Sequence, residues 1–209
     1  ACAANYHNDG TGTCVAGAPS ASSSCAADYY NDGSGVCYQD FNTNTVLFID
    51  GEDGPADKST RHAVAYHGNA ANSDAEKKFG TKSVVFDGDG DRLEVADSSD
   101  FDFGTQNFTV ETWVKTNTNP STSYATLVGR TSGTGSGWAD IDWVLTHLET
   151  GKVMFQASDN GAVGVTITSD SIITGNTWHH IAAVRHGNEF TLYVDGVAEA
   201  TTTLSLTLS

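Results

Sequence analysis

From Thr45 to the end of the chain, short apolar runs alternate with clusters of Gly, Asn, Asp, Ser and Thr. Eleven of these runs read as strands: 46–50, 63–66, 83–86, 92–95, 108–115, 125–130, 141–147, 153–157, 163–168, 178–185 and 190–194. Side chains alternate with period two along them. Phe108, Val110, Thr112 and Val114 share one face of their run, and Trp178, His180, Ala182 and Val184 one face of theirs, as in half-buried sheets. Turn chemistry supplies the pairings. Asp195-Gly196 joins FTLYV to VAEAT, Thr150-Gly151 joins WVLTHL to KVMFQ, and Gly187-Asn188 joins the run at Trp178 to the run at Phe190. Consecutive strands are expected to pair as meanders in an all-β, antiparallel β-sandwich.

The front of the chain is organised differently. CAANYHNDGTGTC (2–14) and CAADYYNDGSGVC (25–37) repeat at an offset of 23 residues and contain every cysteine of the chain: Cys2, Cys14, Cys25 and Cys37. Each unit sets Asn-Asp-Gly between its cysteines, a tight-turn signal because Gly accepts positive φ and Asn and Asp bond their own backbone. Four-cysteine zinc sites use short C-x2-4-C spacing, whereas these cysteines are separated by eleven, ten and eleven residues, so disulfides are expected. The repeat favours Cys2 with Cys14 and Cys25 with Cys37; crossed pairing stays open. Disulfides imply an oxidising, extracytoplasmic compartment. The pattern C-x-x-x-Y-x-N-D-G-x-G-x-C resembles short EGF-like or related Cys-rich stalk repeats. The boundaries follow as 1–44 for two repeats (1–22 and 23–44) and a small-residue linker, and 45–209 for one β-domain.

Charge sharpens this picture. Ten Lys and Arg face 26 Asp and Glu, a net charge of -16, and 19 of the 26 acids are Asp. Nucleic acid and anionic membrane surfaces are recognised through clustered cations, so both are excluded as partners. No stretch approaches the ~20 apolar residues of a membrane span. Lys and Arg are absent before Lys58, and the Asp residues fall in the turns of repeats and hairpins.

VLFIDGEDG, the D-x-S-x-x-H run at 57–62, KKFGTKSVVFDGDGDRLEV, SSDFDFGTQNFTVETWVK and NTWHHIAAVRHGNEFTLYVDGV resemble, in order, the concanavalin A-like lectin/glucanase jelly roll in its laminin-G-like, pentraxin-related form. The resemblance covers residues 45–209 and implies a jelly-roll sandwich. It also implies further strands after VDGV, ending in an acidic strand. The chain stops at Ser209, so the final strands are expected from later residues or a neighbouring molecule, because an open edge invites pairing.

Candidate chemistry begins with acids. Asp50, Asp53 and Asp57 offer hard oxygens in Gly-rich turns, as Ca²⁺ requires, and the resemblance implies a calcium near the exit of the first strand with Asp57 as ligand. Asp87, Asp89 and Asp91, interleaved with Gly88 and Gly90, form a second cluster that reads as a hairpin turn more than as a cation loop. Glycosidases on this kind of sandwich need paired carboxylates. The E-x-D-x-x-E run that would supply them is absent, and Asp140 with Asp142 is the nearest approach, so no enzyme activity is expected. Tyr124, Trp138 and Trp143 are the candidate glycan contacts, while Trp113, Trp143 and Trp178 alternate within strands as core residues do. Asn107-Phe108-Thr109 is an N-glycosylation sequon. The expected function is a secreted or surface-displayed adhesion protein, with the repeats as stalk and the jelly roll binding glycans or neighbouring copies, in the manner of a fibre or homopolymer. The alternative is a non-catalytic carbohydrate-binding module of a larger enzyme or of a fibre on a virion surface.

Overall fold

The computed structural model describes residues 44–121, 124–131, 141–159, 164–173 and 175–208, together with the backbone of four short strands nearer the N terminus. The chain forms two units, Ala1–Ala75 with Thr81–Ala96, and Glu76–Gly80 with Asp97–Ser209. Regular structure among the described residues is all-β except for one 3-10 turn, Ser99–Phe101, capped by the Ser98 hydroxyl accepting from the Asp100 N–H. Among these residues no helix is long and apolar enough to cross a membrane.

In the first unit β1 (Tyr6–Asn8) pairs antiparallel with β2 (Cys14–Ala16), and β3 (Tyr29–Asn31) with β4 (Cys37–Gln39). Asn8 faces Cys14 and Asn31 faces Cys37, so the sequence repeat is also a repeat of backbone register. The side chains of this segment, and with them the pairing expected for Cys2, Cys14, Cys25 and Cys37, lie outside the described residues. β5 (Val64–His67) pairs with β8 (Arg92–Val95), and β6 (Ala71–Ser73) with β7 (Ser83–Val85).

The run at 46–50, expected as the first strand, is not one. The Phe48 N–H goes to the Asp57 carboxylate at 2.9 Å, the Phe48 carbonyl accepts from the Lys58 N–H at 2.7 Å, and the Val46 carbonyl accepts from the Ser59 hydroxyl at 3.0 Å. Its backbone groups are thus satisfied by the turn at Asp57–Ser59, in place of a ladder.

The second unit is a sandwich of two four-stranded sheets. One is the meander β10 (Tyr124–Thr131), β11 (Ile141–Leu148), β12 (Lys152–Ser158), β13 (Gly164–Ile172). The other runs β9 (Phe108–Lys115), β14 (Trp178–His186), β15 (Glu189–Val194), β16 (Val197–Thr203). β9 joins β14 across the sequence of an entire sheet, the long-range pairing that closes the fold. Trp143, Leu145, Val153, Phe155, Val165 and Ile167 from the first sheet meet Val110, Ile181, Ala183, Phe190, Leu192 and Val194 from the second in one core. Rings bridge the layers: Phe103 stacks on Phe108 at 4.3 Å and on Trp143 at 5.3 Å, and Phe155 lies 6.5 Å from Phe190.

The hairpin expected at Asp195-Gly196 is present, with Val194 paired to Val197 and both loop residues at positive φ (50° and 81°) as a type I′ turn demands. Gly187-Asn188 likewise links His186 to Glu189. The loop at Thr150-Gly151 is longer than expected. Glu149, Thr150 and Gly151 all lie between β11 and β12, closed by the Gly151 N–H on the Leu148 carbonyl at 2.9 Å.

One face assignment is reversed. Val110 is buried as expected, but in β14 the core receives Ile181 and Ala183, leaving Trp178, His180, Ala182 and Val184 on the outer face. The same inner row carries Arg185, 2% exposed, whose guanidinium donates to the carbonyls of Gly187 (2.8 Å), Gly104 (2.9 Å) and Leu206 (2.6 Å) and lies 5.1 Å from the Phe190 ring. Burial pushes its pKa down from the ordinary arginine value. Arg185 thereby fixes residues 204–208, of which Leu206 and Leu208 enter the core and Leu208 bridges Gly104. At the sandwich edge the Glu199 carboxylate accepts from the N–H groups of Asp170 (3.0 Å) and Ser171 (2.9 Å) and from the Ser171 hydroxyl (2.7 Å), tying β16 to β13.

Candidate functional site

The acids singled out from the sequence have partners in the protein itself. Asp57 is buried, and its carboxylate accepts from the N–H groups of Phe48, Ser59, Arg61 and His62 and from the Ser59 hydroxyl, at 2.7–3.1 Å. Five donors exceed the about four lone-pair sites of a carboxylate. Burial pushes the Asp57 pKa up, but the donors from Phe48, Ser59 and His62 outweigh it and hold the carboxyl below its usual range. Asp53 and Asp50 turn to the Lys58 ammonium at 2.5 and 3.5 Å. The hydrogen bond to Asp53 leads in raising the lysine pKa. Calcium needs about six to eight oxygens in one shell. Asp57 has none to spare and a lysine stands with the other two, so these three residues do not fit the ion. Among the described residues no group of three His, Cys, Asp or Glu is placed to hold a metal.

The second cluster is a hydrogen-bonded turn. Asp91 accepts from the N–H groups of Asn69 (2.7 Å) and Asp87 (2.8 Å), and Asp87 from the Asp89 N–H (2.8 Å) and the Asn69 amide (2.9 Å). Gly68 is required beside it, because its φ is 71° and a Cβ there would sit 2.3 Å from an Asp91 oxygen. Asp142 is a buried charge partner of Arg130 (3.5 Å), which also pairs with Asp97 (2.9 Å) and Asp102.

Of the candidate glycan contacts, Tyr124 and Trp143 are not brought together, since Tyr124 pairs with Leu148 and Trp143 with Arg130 along the β10–β11 ladder. Trp143 is 6% exposed, a core residue, so its indole offers no surface to a ligand. Tyr124 is exposed at the start of β10. Trp138 lies outside the described residues. Asn107 is exposed, and its side-chain oxygen accepts from the Gly187 N–H at 2.7 Å.

A different aromatic group stands on the outer face of the β9–β14–β15–β16 sheet. Trp113 was expected in the core, but Phe108, Val110, Thr112 and Val114 take the inner face of β9, and period two sends Trp113 outward, where it is 36% exposed. Residues 76–80 pack upon it. The Phe79 ring, 65% exposed, meets Trp113 edge-on at 5.4 Å, and the Lys78 ammonium lies 4.3 Å from the indole centroid and 5.8 Å from Phe79. The next residues on the same face of β9 flank the ring: Lys115 pairs with Glu76 at 2.7 Å and Glu111 with His180 at 3.3 Å. His180 faces Trp113 across the strands, with ring centroids 5.2 Å apart. His179 turns the other way and bonds Asp195 at 2.8 Å, as expected of adjacent residues in a strand. Exposed rings beside hydrogen-bonding carboxylate and imidazole groups make a surface able to stack on an apolar ligand face and to meet hydroxyl groups. Sequence reading missed this group: the alternation of β9 sets Trp113 on the face opposite Phe108, Val110 and Val114, but only the opposing layer decides which face is buried.

The all-β sandwich is consistent with the family match. Residues 87–209 match the model of the concanavalin A-like lectin/glucanases superfamily, and the chain belongs to that family. Among solved structures it is similar to a crystal structure of an S-layer domain-containing protein (residues 221-444) from Clostridium thermocellum, with 25% identity, a TM-score of 0.44, and coverage of 77% of this chain and 71% of that one. No curated protein matches the chain.

Proposed function

We propose that this chain is a non-catalytic binding module of an extracellular or surface-displayed adhesion protein, and that the outer face around Trp113 is its glycan-binding surface. The observation that carries the reading is Trp113 with Phe79 edge-on, both rings open to solvent beside Glu111 and His180. Rings of this kind stack on the C–H face of a sugar, while the carboxylate and imidazole take its hydroxyls. Hydrolysis would need two carboxylates at a set separation, and the sequence lacks the E-x-D-x-x-E run that supplies them in the glucanase arrangement. The tandem hairpins β1–β2 and β3–β4 support a stalk that displays the module, with their cysteines as disulfides.

The reading is tested on a glycan array with the full chain and Trp113→Leu. Binding to a defined set of saccharides, lost in the variant while its circular dichroism is unchanged, is the expected result. Absence of saccharide binding, or binding that Trp113→Leu leaves intact, removes this face as the site.

A further inference from the structure

We propose that the Trp113 face selects saccharides bearing a positive charge: the ammonium of an amino sugar takes the position over the indole that Lys78 now holds. The inference rests on the glycan reading above and names the ligand class. The indole already holds a cation, since the Lys78 ammonium stands 4.3 Å from its centroid, within the ~6 Å over which a ring's negative face attracts one. A neutral sugar displacing that ammonium exchanges a cation–π contact for a weaker C–H contact, whereas a ligand ammonium replaces like with like.

The surroundings point the same way. Glu111 lies two residues before Trp113 on the same face, and Glu76, bound to Lys115, stands beside the residue two positions after it. Both carboxylates are well exposed, at 60% and 63% of their side chains. The net charge of -16 draws cations toward the surface and repels uronate or sulfated sugars. Lys78 therefore acts as an internal competitor for the site, and returning it to water offsets part of the ligand's gain.

The test uses a trimethylated chito-oligosaccharide, permanently cationic, against its neutral N-acetylated counterpart of equal length, titrated calorimetrically into the full chain at low salt. We expect the cationic oligomer to bind about tenfold tighter, the size of one partly desolvated cation–π contact. Lys78→Ala should raise affinity for the cationic oligomer, and Trp113→Leu should abolish it. Phe79→Ala, which removes an exposed ring from the surface, should weaken binding and gives the same reading if Trp113→Leu fails to fold. Equal affinity for both oligomers, with both lost in Trp113→Leu, overturns the charge preference and leaves the glycan reading standing. Cationic binding that survives Trp113→Leu is attraction by the acidic chain as a whole and overturns the inference, and binding of neither oligomer overturns the inference too, the glycan reading then standing or falling on the array.

Discussion

The two units are held by different forces. Among the described residues of the first unit the buried apolar side chains reduce to Ala70, whereas the second unit buries a continuous cluster from Val110 to Leu208. In the first unit carboxylates organise the backbone. Asp57 gathers residues 48 and 59–62, Glu52 accepts from the N–H groups of Thr81 and Lys82, and Asp87 and Asp91 lock the turn at Asn69. The contrast teaches that the acidity of this chain is structural in its turns. Each such carboxylate offers a charged acceptor to N–H groups, among the stronger hydrogen bonds available to a segment with little core.

The largest effect expected on this comparison comes from the sandwich. Phe155→Ala removes a ring 1% exposed that touches both layers, and should cost about 4 kcal/mol in denaturant unfolding of the second unit while leaving amide exchange at Phe48 and His62 unchanged. Coupled loss of protection in both places would break the division. Arg185→Met comes next, at about 3 kcal/mol, because three carbonyls lose a charged donor in a buried site. A thermal midpoint within a degree or so of wild type would show that water replaces the guanidinium there.

Asp57→Ala should cost the first unit about 2 kcal/mol, seen as faster amide exchange at Phe48, Arg61 and His62, with the sandwich transition unmoved. The same residues set a pH dependence. Glu52, Asp57 and Asp87 have folded pKa values below their ordinary 4.5 or 3.8, so their contribution is complete above those values and is lost as pH falls through the folded ones. Asp195 and Glu199 add the same dependence to the second unit.

The sandwich also contains an earlier trigger. His147 is 2% exposed with its Nε2 unpaired, and burial lowers its pKa from 6.5. The unfolded chain takes up that proton first, so the second unit should weaken as pH drops below about 6.5, before the carboxylates of the first unit titrate. His147→Leu should flatten the melting-temperature slope between about pH 7 and 5.5, and an unchanged slope would assign it to other groups. The smallest effect expected is none. EDTA should leave both transitions in place, since Asp50, Asp53 and Asp57 are engaged by Lys58 and backbone donors, and a fall in melting temperature restored by calcium would reverse that assignment.

Much of the sandwich was legible because its signals are local. The alternation in 108–115 and the Asp-Gly and Gly-Asn loops specify strands and hairpins through neighbours a few residues apart. The site was less legible. Trp143 and Trp113 look alike in sequence, each in an alternating strand, yet one stacks on Phe103 in the core and the other stands outside under Lys78. The run at 46–50 has the composition of a strand, but its hydrogen bonds are drawn to Asp57.

By itself the sequence determined the all-β class, the tandem repeat with its matching hairpin registers, and the position of most strands of the second unit, although β13 runs on to Ile172 and β16 was read only as the second arm of a hairpin. Tertiary structure alone decided which face of β14 turns inward, which cation the Asp50–Asp57 segment meets, and that residues 76–80 lie on Trp113. Period two in a strand separates side chains onto opposite faces without saying which is buried. That choice belongs to the opposing layer, and the partners of a buried arginine or a half-exposed indole come from residues far away in the chain, where local propensity carries no information.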